Sequence, residues 1–224
     1  MLRPRIWRQK NRQIRGRSIQ HALSTTRFMI ELEIAARARG NSSLLHADQV
    51  FALSPSVKAV QPGARLTLRA PVNWYGHHGE EGTAPDQLFG LHYQDKPEGR
   101  NRQFIMLEID QGTETIEPNE RRIRSKSFFR DTSILRKFVI YANAFKQKTH
   151  QEQFGFRAFR VLIVTTNRAR AEMMQATYRK FLAKEPNGVN PGVFLFTDWE
   201  SWSNQTGSER VVENGVGQAV QIIA

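Results

Sequence analysis

Two strand-like segments joined by a turn decide how this chain folds: residues 86–93 (Asp-Gln-Leu-Phe-Gly-Leu-His-Tyr) and residues 103–110 (Gln-Phe-Ile-Met-Leu-Glu-Ile-Asp). The connecting residues 94–102 (Gln-Asp-Lys-Pro-Glu-Gly-Arg-Asn-Arg) are rich in turn-forming types. We therefore expect an antiparallel hairpin. Antiparallel pairing places the start of the first strand beside the end of the second, so it predicts that Asp86 lies near Asp110.

The rest of the chain alternates helical and strand-like patterns. Helices are predicted at about 24–39, near 47–52, over 120–147 and over 167–183, and further strands at 65–69, 160–165 and 192–197, with a glycine-rich loop over 73–84. This order predicts an α/β domain in which a mixed sheet is flanked by helices. Residues 201–224 are expected to form a marginally ordered tail.

Composition excludes several classes of protein. The chain has 224 residues, a mean hydropathy of −0.54 and no cysteine, which rules out disulfides, thiolate nucleophiles and cysteine-based zinc sites. Its longest apolar runs are strand-sized, so we expect no membrane-spanning helix and no membrane partner. The basic N-terminus lacks the apolar stretch of a signal peptide, so we expect a cytoplasmic protein.

The formal net charge of +12 is unevenly distributed. Residues 1–40 hold ten basic and two acidic side chains and residues 121–148 hold nine and one, which leaves −4 for the rest. Two basic segments around a mildly acidic middle favour contact with DNA, mainly with its phosphate backbone, although a solvated surface has the same composition. The candidate DNA-binding residues are Arg3, Arg5, Arg8, Arg12, Arg15, Arg17, Arg121, Arg122, Arg124, Lys126 and Arg168.

The acids of the predicted hairpin form a candidate metal site. Glu108 and Asp110 are two residues apart in a strand, so they point to the same face, near Asp86. Gathered carboxylates repel one another unless a cation or protons neutralise them, and Mg²⁺ or Mn²⁺ prefers such oxygen ligands. The alternative is that these strand-end acids are exposed or paired with nearby arginines.

The same residues carry a resemblance to a known family. Pro85-Asp86-Gln-Leu-Phe, followed after the hairpin by Phe104-Ile-Met-Leu-Glu108-Ile-Asp110-Gln-Gly-Thr-Glu114, resembles the replication-relaxation family of plasmid and conjugative-element proteins. The similarity continues through Lys137-Phe-Val-Ile-Tyr141 and Phe159-Arg-Val-Leu-Ile-Val-Thr165. It covers about residues 20–200.

The resemblance implies a restriction-endonuclease-like core of the PD-(D/E)xK type over residues 21–200. In that comparison Asp86 matches the first metal-binding acid and Glu108 the second, whereas Asp110 stands where an active nuclease usually has lysine. Lys137, from the following helix, is the candidate that restores the cation, and the alternative is an ordinary helix-surface lysine. These four residues are the candidate catalytic group.

The N-terminus departs from the family pattern. Members of the replication-relaxation family carry an N-terminal winged helix, which needs roughly 60–80 residues, whereas only residues 1–20 precede the first helix. We expect these residues to be a basic arm, corresponding to the last piece of a wing. Thr113 and Glu114 are predicted to cap a helix that begins there, with Glu114 as a third acid as the alternative.

Two functions follow as hypotheses. The first is a DNA-binding accessory protein of a plasmid or other mobile element, acting in replication or DNA processing alongside other replication or mobilisation proteins. The second is a divalent-metal-dependent DNA endonuclease or junction-processing enzyme, using Mg²⁺ or Mn²⁺. A catalytically silent domain for protein–protein contact is a third reading. The aspartate at position 110 favours the first.

Overall fold

The structure is a computed structural model that describes residues 16–53, 66–185, 190–206 and 208–223. Most of the predicted basic arm, with Arg3, Arg5, Arg8, Arg12 and Arg15, lies outside the described residues. Arg17 falls in the first turn of the first helix.

Seven α-helices and nine strands make up the described chain. The helices are α1 (Gly16–Arg39), α2 (Ala47–Ala52), α3 (Glu120–Ile123), α4 (Ile134–Gln147), α5 (Thr149–Phe154), α6 (Arg168–Lys184) and α7 (Trp199–Ser203), with short 3-10 turns at Phe128–Arg130 and Pro191–Val193. The strands are β1 (Ser42–Leu45), β2 (Leu68–Trp74), β3 (His77–Thr83), β4 (Gln87–Tyr93), β5 (Arg102–Ile109), β6 (Arg160–Thr165), β7 (Phe194–Asp198), β8 (Arg210–Asn214) and β9 (Ala219–Ile223).

A seven-stranded mixed sheet organises the protein, in the order β1-β4-β5-β6-β7-β8-β9. Strands β4 and β5 pair antiparallel, which confirms the predicted hairpin, and β5, β6 and β7 are parallel to one another. The prediction of a mixed sheet flanked by helices is therefore confirmed. The carboxyl ends of β5 and β6 meet at one edge of the sheet, beside the start of β4.

Both faces of the sheet are covered, and the alternation within β5 shows how. Ile105, Leu107 and Ile109 belong to the apolar layer that contains α1 and α7. Met106 belongs to the opposite layer, which contains α4 and α6. Because side chains alternate along a strand, Glu108 also points into the layer of α4, where it is buried.

A second, two-stranded sheet replaces the predicted glycine-rich loop over 73–84. Strands β2 and β3 pair along their full length, and every second residue of β2 is buried. The turn between them places Tyr75 and Gly76 at φ of 46° and 76°, as in a two-residue type I′ hairpin turn. The predicted strand at 65–69 was therefore placed too early, because the pairing with β3 begins only at Leu68.

The predicted long helix over 120–147 is broken into pieces. Helix α3 ends after one turn, and α4 begins only at Ile134, where the Ser133 side chain accepts a hydrogen bond from the backbone N–H of Arg136. The predicted cap at Thr113 is wrong, because the next helix starts at Glu120 behind Asn119. Serine and asparagine at these positions cap the helices by satisfying free N–H groups of the first turn.

The C-terminal segment adds two strands to the sheet where the sequence predicts a marginally ordered tail. Strand β8 pairs with β7 and β9 pairs with β8. Ile222 and Ile223 of β9 are buried, and the Tyr93 hydroxyl of β4 donates a hydrogen bond of 2.6 Å to the carbonyl of Ile222. This segment therefore closes one apolar layer.

Helix α1 is longer than predicted and begins at Gly16 instead of about residue 24. Its inner face buries Phe28 and Leu32, whereas Ile30 and Ile34 are 53% and 62% exposed. Among the described residues, neither this helix nor any other is long and apolar enough to cross a membrane.

Candidate functional site

A polar cavity of about 510 Å³ opens at the carboxyl ends of β3 and β5, beside the start of β4. The structure brings the three predicted acids and the predicted lysine together there, because the cavity is lined by Asp86, Glu108, Asp110 and Lys137. His21, Gln111, Glu114 and Arg136 are among its other lining residues.

Asp86 stands at the start of β4 with both carboxylate oxygens bonded. Its Oδ2 accepts a hydrogen bond of 2.7 Å from the backbone N–H of Ile109, at the end of β5. Its Oδ1 lies 2.8 Å from Nε2 of His21 on α1. His21 is not among the predicted site residues, because nothing in the sequence places α1 beside the start of β4.

Glu108 is buried against α4, with only 2% of the residue exposed. Lys137 Nζ donates to its Oε2 at 3.0 Å, and the Tyr141 hydroxyl donates to its Oε1 at 2.6 Å. Burial raises the pKa of Glu108, while the charge of Lys137 opposes that rise. Lys137 and Tyr141 are one helical turn apart, so both reach the same carboxylate.

Lys137 also binds the carboxylate of Glu114, with 2.8 Å between Nζ and Oε2. Burial by itself lowers the pKa of Lys137, but the two carboxylates together outweigh it and raise that pKa above its ordinary value. The ammonium therefore stays charged between two acids. The second oxygen of Glu114, Oε1, is buried without a hydrogen-bond partner among the described residues, and so is Nε2 of Gln111.

Asp110 is held by Arg170, a partner 60 positions away that the sequence pattern does not predict. Arg170 on α6 makes two bonds to its carboxylate, of 2.5 Å and 2.9 Å, and the Thr165 hydroxyl donates a third of 2.6 Å. Asn167 caps α6 by accepting from the backbone N–H of Arg170, which fixes this arginine in the first turn. The hydrogen bond to Asp110 raises the pKa of Arg170.

No protein-family model, curated protein or solved structure matches this chain. The chemistry of the site is therefore inferred from the contacts that its own residues make.

The carboxylates are not arranged as the ligands of one metal ion. Asp86, Glu108 and Asp110 each use both oxygens in bonds to protein groups. In the described ranges, no three His, Asp or Glu side chains are grouped to hold an ion. As they stand, these donors do not fit Mg²⁺ or Mn²⁺, and the predicted metal site stays a prediction.

The predicted DNA-binding residues between positions 121 and 168 fall into two groups. Some are already paired with carboxylates, in the ion pairs Arg122–Asp131, Arg124–Glu120, Arg168–Glu172 and Arg168–Glu213. Arg121 and Lys126 form no ion pair with any described residue and are exposed or partly exposed. The pairs Arg124–Glu120 and Arg168–Glu172 follow helical i,i+4 spacing, whereas the partners Asp131 and Glu213 lie on other elements and could not be read from the sequence.

Proposed function

We propose that this protein is a DNA-binding accessory protein of a plasmid or other mobile element, which acts in replication or DNA processing on a restriction-endonuclease-like core. It holds DNA by the phosphate backbone and needs no metal ion to do so. One structural observation favours this role over an enzymatic one: every acid at the centre of the cavity already has a basic partner within the chain. The convergence of the Asp86 and Glu108–Glu114 motifs on one cavity supports the family resemblance.

The pairing engages each of these carboxylates with a partner from the chain itself. Lys137 lies between Glu108 and Glu114, Arg170 binds Asp110, and His21 contacts Asp86. A carboxylate in a bidentate pair with arginine is a poor metal ligand, because the metal would first have to displace the strong charge-assisted bonds. We therefore assign these residues to holding β5, α4 and α6 together.

DNA contact is supported by the distribution of charge. Residues 1–15 hold six basic and no acidic side chains, and residues 54–65 hold two and none, so two-thirds of the +12 net charge lies in these segments. On the described surface, Arg121 and Lys126 add cations that no described acid neutralises. Neutralised phosphates release counterions, so such binding weakens steeply with salt.

The first experiment measures binding of a labelled 20-base-pair duplex by fluorescence anisotropy across salt concentrations, with EDTA or with Mn²⁺. We expect the same affinity with either addition. Replacing three arm residues (Arg3, Arg5 and Arg8) by glutamine removes about three phosphate contacts, which lowers the slope of log K against log salt by about 2–3. The matched control is Arg179→Gln, an exposed arginine on α6, and it leaves the slope unchanged. If the triple replacement leaves the slope unchanged, as Arg179→Gln does, the proposal is wrong.

The nuclease hypothesis is the second candidate, and one observation favours it. Lys137 reaches Glu108 from α4, in the cavity that Asp86 also lines. The test incubates supercoiled plasmid with the protein and Mn²⁺, with Asp86→Ala as the paired variant. We expect no cutting beyond that of the variant. Cutting by the wild type that Asp86→Ala abolishes, with DNA binding retained, would replace the accessory role with an enzymatic one.

A further inference from the structure

A second cavity, of about 380 Å³, lies at the opposite edge of the sheet. It opens at the amino ends of the parallel strands, between Arg102 of β5, Arg160 of β6 and Val193 just before β7. Since β5 runs for eight residues, at about 3.3 Å each, some 25 Å separates it from the carboxylate cavity. The two cavities are therefore separate sites.

Four cations line this second cavity: Lys96, Arg100, Arg102 and Arg160. No acid lines it, and none of the three arginines forms an ion pair with any residue that the structure describes. Lys96 rests its ammonium 3.7 Å from the centre of the Tyr93 ring. Like charges gathered in a concave surface repel one another and attract an anion.

Tyr93 is anchored in the same wall. Its hydroxyl donates its single proton to the carbonyl of Ile222 at 2.6 Å and lies 3.0 Å from the side-chain amide of Gln103. These contacts fix the ring on which the Lys96 ammonium rests.

The floor of the cavity is aromatic. Phe104, Phe145 and Phe159 line it, and Phe104 stacks on Phe156 with 5.0 Å between ring centres. Phe104 and Phe145 are only partly buried, so they leave apolar ring surface beside the cations. Aromatic surface next to arginines suits a stacked base joined to a phosphate.

We propose that this cavity binds a nucleoside phosphate, with the phosphate between Arg102 and Arg160 and the base against Phe104. The ligand is either a free nucleotide or the 5′-phosphorylated end of a nucleic acid strand, and both present the same chemical group. This inference goes beyond the proposed function, which assigns backbone binding to residues 1–15 and to Arg121 and Lys126.

The first experiment titrates the protein calorimetrically with deoxyadenosine monophosphate and with deoxyadenosine. We expect the monophosphate to bind and the nucleoside to bind far more weakly. Arg102→Gln and Arg160→Gln each remove a charged hydrogen-bond donor, so each weakens binding about tenfold or more. The matched control is Arg157→Gln, an exposed arginine that does not line the cavity, and it keeps the wild-type affinity.

The source of the phosphate is settled by a second pair of ligands, a 5′-phosphorylated and a 5′-hydroxyl tetranucleotide of the same sequence. If the wild type prefers the phosphorylated strand and Arg102→Gln abolishes this preference, the ligand is a strand end. If only the mononucleotide binds tightly, the ligand is a free nucleotide. The proposal is wrong if neither phosphate ligand binds better than its phosphate-free counterpart, or if Arg157→Gln weakens binding as much as Arg102→Gln. Arg102→Gln should bind a 5′-hydroxyl duplex as tightly as the wild type does. This measurement therefore tests the proposed backbone binding separately from the cavity.

Discussion

Removing Lys137 tests the central ion-pair network directly. In Lys137→Met the methylene stem keeps much of its packing, while Glu108 and Glu114 lose the ammonium that lies 3.0 Å and 2.8 Å from their oxygens. Glu108 is then a buried carboxylate whose only remaining side-chain donor among the described residues is Tyr141. The variant therefore isolates the cost of an uncompensated buried charge.

The magnitude follows from burial. The Lys137 side chain is 19% exposed and that of Glu108 is 3% exposed, and breaking a buried pair by removing one partner costs about 3–5 kcal/mol. The matched control is Lys180→Met: Lys180 Nζ lies 2.8 Å from Glu117, but its side chain is 64% exposed. An exposed pair contributes about 0–1 kcal/mol.

The loss also depends on pH. The folded protein holds the pKa of Glu108 above its ordinary value of 4.5, and removal of Lys137 raises that pKa further. A group with a raised folded pKa stabilises the fold below its unfolded pKa, and this contribution is lost as pH rises through the folded pKa. The variant should therefore recover stability as pH falls from 7.5 towards 4.5, by up to about 1.4 kcal/mol per pH unit for one proton.

The assay is urea unfolding at pH 7.5 and pH 5.5, followed by circular dichroism. The double variant Glu108→Gln/Lys137→Met should regain part of the loss and show a weaker dependence on pH, because the buried charge is gone. A loss for Lys137→Met no larger than that for Lys180→Met would refute the reasoning. So would a large loss that is the same at both pH values.

Three further changes test other parts of the structure by the same unfolding measurement. Arg170→Met leaves Asp110 buried without its bidentate partner and should lower the free energy of unfolding by about 3–5 kcal/mol. A decrease of less than about 1 kcal/mol would contradict this expectation. Gly215→Ala drives a methyl group into the Tyr178 ring, so it should cost about 1–3 kcal/mol, and an unchanged stability would contradict this packing. Ile222→Ala removes a fully buried side chain of β9 and should lower the free energy of unfolding by about 2–5 kcal/mol. An unchanged free energy of unfolding would show that β9 does not pack in the core.

The sequence predicted the elements whose patterns are local. The hairpin of β4 and β5 follows from two alternating segments around a turn-rich connection, and β6 from a β-branched run. The convergence of Asp86, Glu108 and Asp110 on one cavity follows from antiparallel pairing. Lys137 reached the same cavity because its helix follows the hairpin and packs on its face.

The elements that were missed depend on partners distant in sequence. Strand β3 is rich in glycine and polar residues, and it forms because β2 pairs with it and packs on α4. Strand β9 is short and is stabilised by β8 and by Tyr93. The ion pairs of Asp110 with Arg170 and of Asp86 with His21 join residues 60 and 65 positions apart, so no spacing rule reveals them.

The hydrogen bond from Tyr93 to Ile222 has a consequence for folding. It joins the second strand of the sheet to the last one, across 129 positions of sequence. Until β9 pairs with β8, the part of the apolar layer that Ile222 and Ile223 cover stays open to solvent. A chain that lacks residues 219–223 should therefore bind chaperones that recognise exposed apolar surface more strongly than the full chain does.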